Sequence, residues 1–207
     1  MPDENFTKFA FTDTVKGLQE RYGSRGSYRR MEESGDRFVL TGKERAFVTT
    51  RDGFYLATVG SGGWPYVQFR GGPVGFLKCL DEQTLGFADY RGNRQFISSG
   101  NMVDNGRVAM ILVDYPTQQR LKIWAEARLV FAEDDPRMME QLVDPSYPAR
   151  AERAIVLSVR AYDWNCPQHI TPRYRADEIG KEELRQLDPE LLASCCPEET
   201  DGGTPEP

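Results

Sequence analysis

Three short stretches hold the side chains that could do chemistry. The first is Asp89-Tyr90-Arg91-Gly92-Asn93-Arg94-Gln95-Phe96-Ile97. It follows a β-rich run, Asn93 is a good helix N-cap, and Phe96 and Ile97 begin an apolar helical face, so the free N–H groups of a helix start are expected at Asn93. Such a start attracts phosphate, and the forked guanidinium groups of Arg91 and Arg94 match phosphate oxygens in paired hydrogen bonds. An ordinary capped corner with solvated arginines has the same composition. The second stretch, Pro65-Tyr66-Val67-Gln68-Phe69-Arg70-Gly71-Gly72-Pro73, ends a strand in an arginine and two glycines, which let a ligand approach the backbone or simply make the turn. The third, from Tyr162 to Tyr174, crowds Trp164, Asn165, Gln168, His169 and Arg173 at the end of the last β-rich run. That mixture suits a lid over a planar, polar-edged ligand, and equally a chain exit plugged by Trp164.

The elements that must position these groups follow from hydrophobic periodicity. Val15, Leu18 and Tyr22 recur at helical spacing behind Thr12 and Asp13, and Gly23 stops the run. Thr41 with Glu44 three residues later forms a capping box for a second helix, ended by Asp52-Gly53. Between them, residues 23–30 are basic and contain two glycines; they lack the Lys-Ser/Thr ending of a P-loop and predict a mobile surface link.

From residue 54 the period becomes two. Residues 54–59, 64–70, 74–80 and 84–88 read as an antiparallel meander, followed after a helical insert by runs at 107–113, 119–132 and 154–164. In the second of these, Leu121, Ile123, Ala125, Ala127, Leu129 and Phe131 alternate with Arg120, Lys122, Trp124, Glu126 and Arg128. A strand that long must curve or close. Six to seven antiparallel strands without parallel crossover helices predict a mainly β (α+β) barrel with flanking helices, because closure removes exposed edges. Residues 135–143 predict a helix over one barrel mouth. The expected plan is a helical extension over 1–40, the barrel over 41–180, and an acidic tail over 181–207 with one weak helical turn and disorder from about Cys195.

Charge and composition remove several function classes. Residues 181–207 contain eight acids and two bases and so carry the whole formal charge of −6, leaving residues 1–180 balanced. Nucleic-acid binding needs a basic excess to displace counterions, and none is present. The longest apolar run, 108–113, is six residues against the ~20 that span a bilayer, so no membrane helix is expected. Met1-Pro2-Asp3-Glu4-Asn5 lacks the start of a secretory signal, which predicts a cytoplasmic protein. Cys79, Cys166, Cys195 and Cys196 fit no zinc spacing, and a single histidine, His169, excludes His-rich metal sites. No metal is expected.

In order and spacing, the phrases Ala57-Thr58-Val59, Pro65-Tyr66-Val67-Gln68, Arg70-Gly71-Gly72-Pro73, Gly75-Phe76, Gly92-Asn93 and Arg120-Leu121-Lys122-Ile123 resemble the pyridoxamine 5′-phosphate oxidase-like family of split barrels that bind flavin mononucleotide (FMN), and more narrowly its flavin-nucleotide-binding branch. The resemblance covers about residues 41–175. It implies that Val67, Gln68, Phe69 and Arg70 lie along the flavin, offering backbone groups to the ring edge and a basic side chain to the phosphate. It further implies that Asn93, Arg94 and Gln95 hold the phosphate, that Gln119 approaches from the other subunit of a homodimer, and that Trp164 and Arg173 close the site. Two positions depart from the oxidase: its Ser-Arg-Lys corner is Asn93-Arg94-Gln95 here, and a glycine of its long strand is Trp124. Both speak against a vitamin B6 substrate.

The resulting expectation is an FMN-dependent oxidoreductase acting on a small planar substrate or electron donor. No catalytic acid or base stands out. The alternative is a non-enzymatic flavin or haem store, with His169 the sole imidazole ligand.

Overall fold

The computed structural model describes residues 5–33, 38–165, 168–175 and 178–179. The expectations about Cys166 and about the acidic tail with Cys195 and Cys196 fall outside these residues.

The chain opens with α1 (Thr7–Ala10), α2 (Asp13–Arg21) and α3 (Arg25–Glu33). Thr12 caps α2 by accepting the Val15 N–H, and Gly23 ends the segment at φ +73°, where a residue without Cβ carries no strain. The surface link expected at 23–30 is instead largely α3. Arg25 and Lys16 both reach the Glu32 carboxylate, at 2.5 Å and 3.2 Å, which fixes α3 against α2. Leu18 of α2 and Tyr22 at its C-cap are exposed, so their helical spacing does not mark a core face.

What docks this extension is aromatic. Phe6 stacks on Trp124 with ring centroids 5.2 Å apart, and Phe9 meets the same indole edge-on at 5.6 Å. The bulky residue in the long strand therefore serves as the seat of the N-terminal segment. α4 (Gly42–Thr49) carries the expected capping box between Thr41 and Glu44.

Seven strands follow: β1 (Gly53–Val59), β2 (Pro65–Gly71), β3 (Lys78–Cys79), β4 (Thr84–Tyr90), β5 (Arg107–Asp114), β6 (Gln119–Phe131) and β7 (Ala151–Asn165). They form one antiparallel sheet in the order β2-β1-β5-β6-β7-β4-β3, with α5 (Ile97–Asp104) and α6 (Pro136–Leu142) packed on it. The meander expected for the first four is corrected here, since β2 and β3 are successive in sequence yet occupy opposite edges. Only Lys78–Cys79 of the expected strand 74–80 pairs, because Gly75 at φ +80° and the Phe76 N–H to Pro73 carbonyl bond form a turn.

The sheet curls strongly. Phe54 of β1 and Phe87 of β4 lie four strand positions apart, ~19 Å in a flat sheet at ~4.8 Å per strand, yet their rings meet at 5.3 Å. Inside the curl pack Leu56, Leu77, Leu85, Met110, Leu112, Leu121, Ile123, Ile155 and Leu157. A smaller cluster of Met139, Leu142, Val130, Ala154 and Val156 holds α6 against the outside.

Candidate functional site

Where the curled sheet fails to close, β2 and β4 face each other across a seam, and the N-terminus of α5 lies beside it. The inward-facing positions of β2 are Tyr66, Gln68 and Arg70, opposite Thr58, Leu56 and Phe54 of β1. On β4 the inward row is Leu85, Phe87 and Asp89; on β7 it includes Arg153, Ile155, Leu157 and Val159. Apolar residues fill the deeper layers, and charge takes over at the mouth.

There, Nη1 of Arg70 donates to Oδ1 of Asp89 at 2.7 Å, and Nε of Arg153 lies 3.3 Å from Oδ2 of the same carboxylate. Asp89 pairs with Arg153 directly across the ladder, whereas Tyr90 pairs with Ala151, so a bulge leaves Glu152 unopposed. Bulges re-aim side chains, and this one sets Glu152 beside the cleft. Its carboxylate takes Nη2 of Arg153 at 2.7 Å and draws Nε of Arg94 to 3.6 Å and of Arg91 to 3.9 Å. Burial pushes the Asp89 pKa up, outweighing the opposing pull of Arg70 and Arg153, with Glu152 adding to the rise.

The corner expected to be capped by Asn93 differs in detail. The helix begins at Ile97, four residues later, and its N-cap is Phe96 in the left-handed region, without a side-chain cap. Asn93 instead accepts the Gln95 N–H at 3.2 Å, a local turn that competes with helix formation. Arg94 and Phe96 both have positive φ, +61° and +57°. Non-glycine residues hold such angles only when their surroundings over-determine them. The Phe96 ring lies under the Arg153 guanidinium at 4.9 Å and near that of Arg94 at 5.7 Å. α5 is tied to the barrel by Ser98 Oγ donating to Gln68 Oε1 at 2.9 Å and by Asn101 Nδ2 donating to Thr58 Oγ1 at 3.0 Å.

These groups enclose a cleft of about 230 Å³. Gln68, Arg70, Asn93, Arg94 and Gln95, all expected at a binding site, line it together. Asp89, Glu152, Arg153, Ser98 and Ser99 line it too and were not assigned a role from sequence. Strand parity carries a signal for two of them: Asp89 continues the inward row of Leu85 and Phe87, and Arg153 that of Ile155 and Leu157, so each puts a charge where alternation demands an apolar residue.

Val67 and Phe69 point to the other side of β2 and are exposed, at 59% and 58%. β2 is nevertheless an edge strand, so one side of its backbone has no neighbouring strand to pair with. Three other expected residues lie away from the cleft. Gln119 opens β6, and its side chain donates to Thr117 Oγ1 at 3.2 Å. Arg173 sits over the Tyr115 ring at 5.0 Å. Trp164 donates its indole N–H to Glu44 at 2.7 Å, meets Phe47 edge-on, and carries Lys43 over its ring at 4.2 Å. Within one chain, then, Trp164 is a plug of the barrel end. His169 is exposed on a turn at φ +64° and does not line the cleft.

The family model described as pyridoxamine 5′-phosphate oxidase matches residues 40–163. The chain belongs to this family. Its seven-stranded antiparallel sheet with six helices among the described residues accords with the split-barrel architecture of that family. An FMN-binding protein from Syntrophomonas wolfei aligns at 12% identity over 74% of this chain and 97% of its own, with a TM-score of 0.48. A protein of the pyridoxamine 5′-phosphate oxidase type from Lactobacillus delbrueckii aligns at 21% identity over 60% and 93%, with a TM-score of 0.46. The haem storage protein HutZ of Vibrio cholerae aligns at 15% identity over 59% and 90%, with a TM-score of 0.36. No curated protein matches the chain. Among the described residues, no helix is long and apolar enough to cross a membrane, and no group of three His, Cys, Asp or Glu side chains could hold a metal ion.

Proposed function

We propose that this member of the pyridoxamine 5′-phosphate oxidase family is an FMN-binding oxidoreductase acting on a small planar substrate. The observation that carries the reading is the cleft's combination of size and charge. Three arginines (Arg70, Arg94, Arg153) and two acids (Asp89, Glu152) line it, a net positive surface beside a helix start. Its 230 Å³ is below the ~300–1,000 Å³ of a site that swallows a whole drug-sized ligand. A phosphate and the start of its chain fit such a cleft; a three-ring isoalloxazine must lie beyond it.

The residues present suit the group. Nε of Arg70 is buried without a hydrogen-bond acceptor, although buried donors are rarely left so. Arg70, Arg94 and Asn93 would hold the phosphate, Gln68 would meet the polar edge of the flavin, and the free side of β2 would offer backbone groups. When bound, FMN supplies the redox chemistry; the chain anchors, orients and shields it.

A ring lying outside the cleft needs a second wall, and a second copy of this chain supplies one. The outward face of β2 and β1 presents Val67, Phe69 and Tyr55, all exposed and apolar or aromatic. Tyr55 touches Phe69 at 5.4 Å, and Tyr115 lies under Arg173. A two-fold packing on this face would bring Gln119 and Arg173 of one copy toward β2 of the other, which explains why these residues do not share a cleft within one chain.

The absorption spectrum of the purified full-length protein, followed by FMN and riboflavin titration, tests the reading. A flavin band, with FMN bound more tightly than riboflavin, is the expected outcome. A haem band, or equal affinity for both flavins, would overturn it.

A further inference from the structure

Asp89 is an unusual residue to find at a site for an anion. It is 7% exposed, it lines the cleft, and its negative charge opposes a phosphate. Its geometry gives it a different part. One oxygen takes the Nη1–H of Arg70 from β2, and the other faces Nε of Arg153 from β7, so two guanidinium groups from opposite sides of the seam are pinned to one carboxylate. Arg153 is itself 8% exposed, packed over Phe96, and bonded by Glu152 at a second nitrogen. Nothing else described holds the head of Arg70, whose Nε has no acceptor.

We propose that Asp89 is a positioning residue for phosphate recognition: it locks Arg70 and Arg153 across the seam so that their remaining donors converge on one anion, and Arg153 is a phosphate-binding residue alongside Arg70. The inference rests on the FMN reading only for the identity of the ligand; its core concerns a phosphate group.

The physical case is preorganisation. A free arginine has rotamer entropy to lose when it is fixed on a ligand, and a guanidinium already held by a carboxylate has lost it beforehand. A phosphate monoester offers three oxygens, enough for donors from both arginines and from the start of α5. Arg94, more exposed than either and drawn only to 3.6 Å from Glu152, adds charge at the rim. Charge alone makes the opposite prediction: if Asp89 merely repelled the anion, its neutralisation would tighten binding. The sign of the effect therefore decides the matter.

The test uses the full-length wild type, Asp89→Asn and Arg153→Lys, each titrated with FMN, riboflavin and inorganic phosphate, the last read by thermal shift. Both variants should lose about tenfold or more in affinity for FMN and for phosphate, the scale of one charge-assisted hydrogen bond, while riboflavin affinity stays within about twofold. A merely structural role would weaken both flavins together, and that result overturns the proposal, as would tighter phosphate binding by Asp89→Asn. If Asp89→Asn does not fold, Arg153→Lys decides, since it keeps the charge and loses the fork. Wild type that binds phosphate but not FMN, with both variants losing phosphate, supports the positioning role and rejects FMN. Wild type that binds FMN, with variants unchanged, does the reverse.

Discussion

Arg70 and Asp89 are joined at 2.7 Å although their strands, β2 and β4, stand five positions apart in the hydrogen-bonded order. Flat, the sheet would separate them by ~24 Å. Their bridge spans the side on which the barrel stays open, so the seam is latched by an ion pair and bordered by a cleft that gathers Gln68, Arg70, Asn93, Arg94 and Gln95. The proposed phosphate site and the latch of the seam thus share Arg70.

That sharing makes the arginines separable by experiment. Arg94→Ala and Arg70→Ala should each weaken FMN binding by about 1.5–3 kcal/mol, the range for hydrogen bonds to a charged group. Arg94 is a rim residue paired only loosely with Glu152, so its loss should leave stability unchanged, whereas Arg70→Ala should also lower it by leaving Asp89 short of a partner. Calorimetric titration and chemical denaturation of both variants check this. Unchanged FMN affinity in the double variant would refute the phosphate assignment.

Assembly should be coupled to the cofactor. Placing a charge on the outward face of β2 by Phe69→Lys should yield a folded monomer whose FMN affinity falls by about tenfold or more, since the second wall of the site is gone. In the wild type, FMN should stabilise the dimer by linkage. Sedimentation with and without FMN reads both. A monomer holding FMN stoichiometrically contradicts the shared site.

The plug at the other barrel end gives a pH signature. Glu44 accepts the Trp164 indole N–H at 2.7 Å, the Thr41 hydroxyl, and the Thr41 backbone N–H at 3.0 Å. Burial opposes its ionised form, but these hydrogen bonds outweigh burial and hold the pKa below the ordinary 4.5. A carboxyl whose pKa is lower in the folded than in the unfolded chain stabilises fully above the unfolded value and loses that contribution as pH falls through the folded one. The stability difference between wild type and Glu44→Gln should therefore be largest near neutrality and shrink below pH 4.5, with Trp164 fluorescence as the reporter. A difference independent of pH would reject the assignment.

The helical extension should be integral to the fold. Phe6 is 6% exposed and stacked on Trp124, so Phe6→Ala should cost about 3 kcal/mol, the lower range for truncating a buried aromatic. Thermal unfolding measures it. An effect below about 0.5 kcal/mol would mean that the extension is docked by other contacts.

The amino-acid sequence determined a good deal by itself. Alternation over 119–131 and the capping box at Thr41 and Glu44 are local patterns, each expressing one strand or helix period, and both elements formed where the pattern stood. The order of short phrases from Ala57 to Ile123 determined the family. Arg70, Asn93 and Arg94 were legible because each lies at a strand end or corner whose chemistry is written in adjacent residues, whereas Gln68 and Gln95 came from the family resemblance alone.

Tertiary structure decided the rest. The segment at 25–33 is held as a helix against α2 by the Lys16–Glu32 pair, a contact between residues sixteen positions apart that neighbouring residues do not reveal. β2 and β3 part to opposite edges because sheet order depends on which faces can be buried together, a global choice. Strand parity marks Asp89 and Arg153 as charges on inward rows, but only the curl that brings β2 within reach of β4 makes Asp89 the partner of Arg70, and only the bulge sets Glu152 beside them. A contact between residues 70, 89 and 153 depends on the path of the whole sheet, and no local period encodes that path.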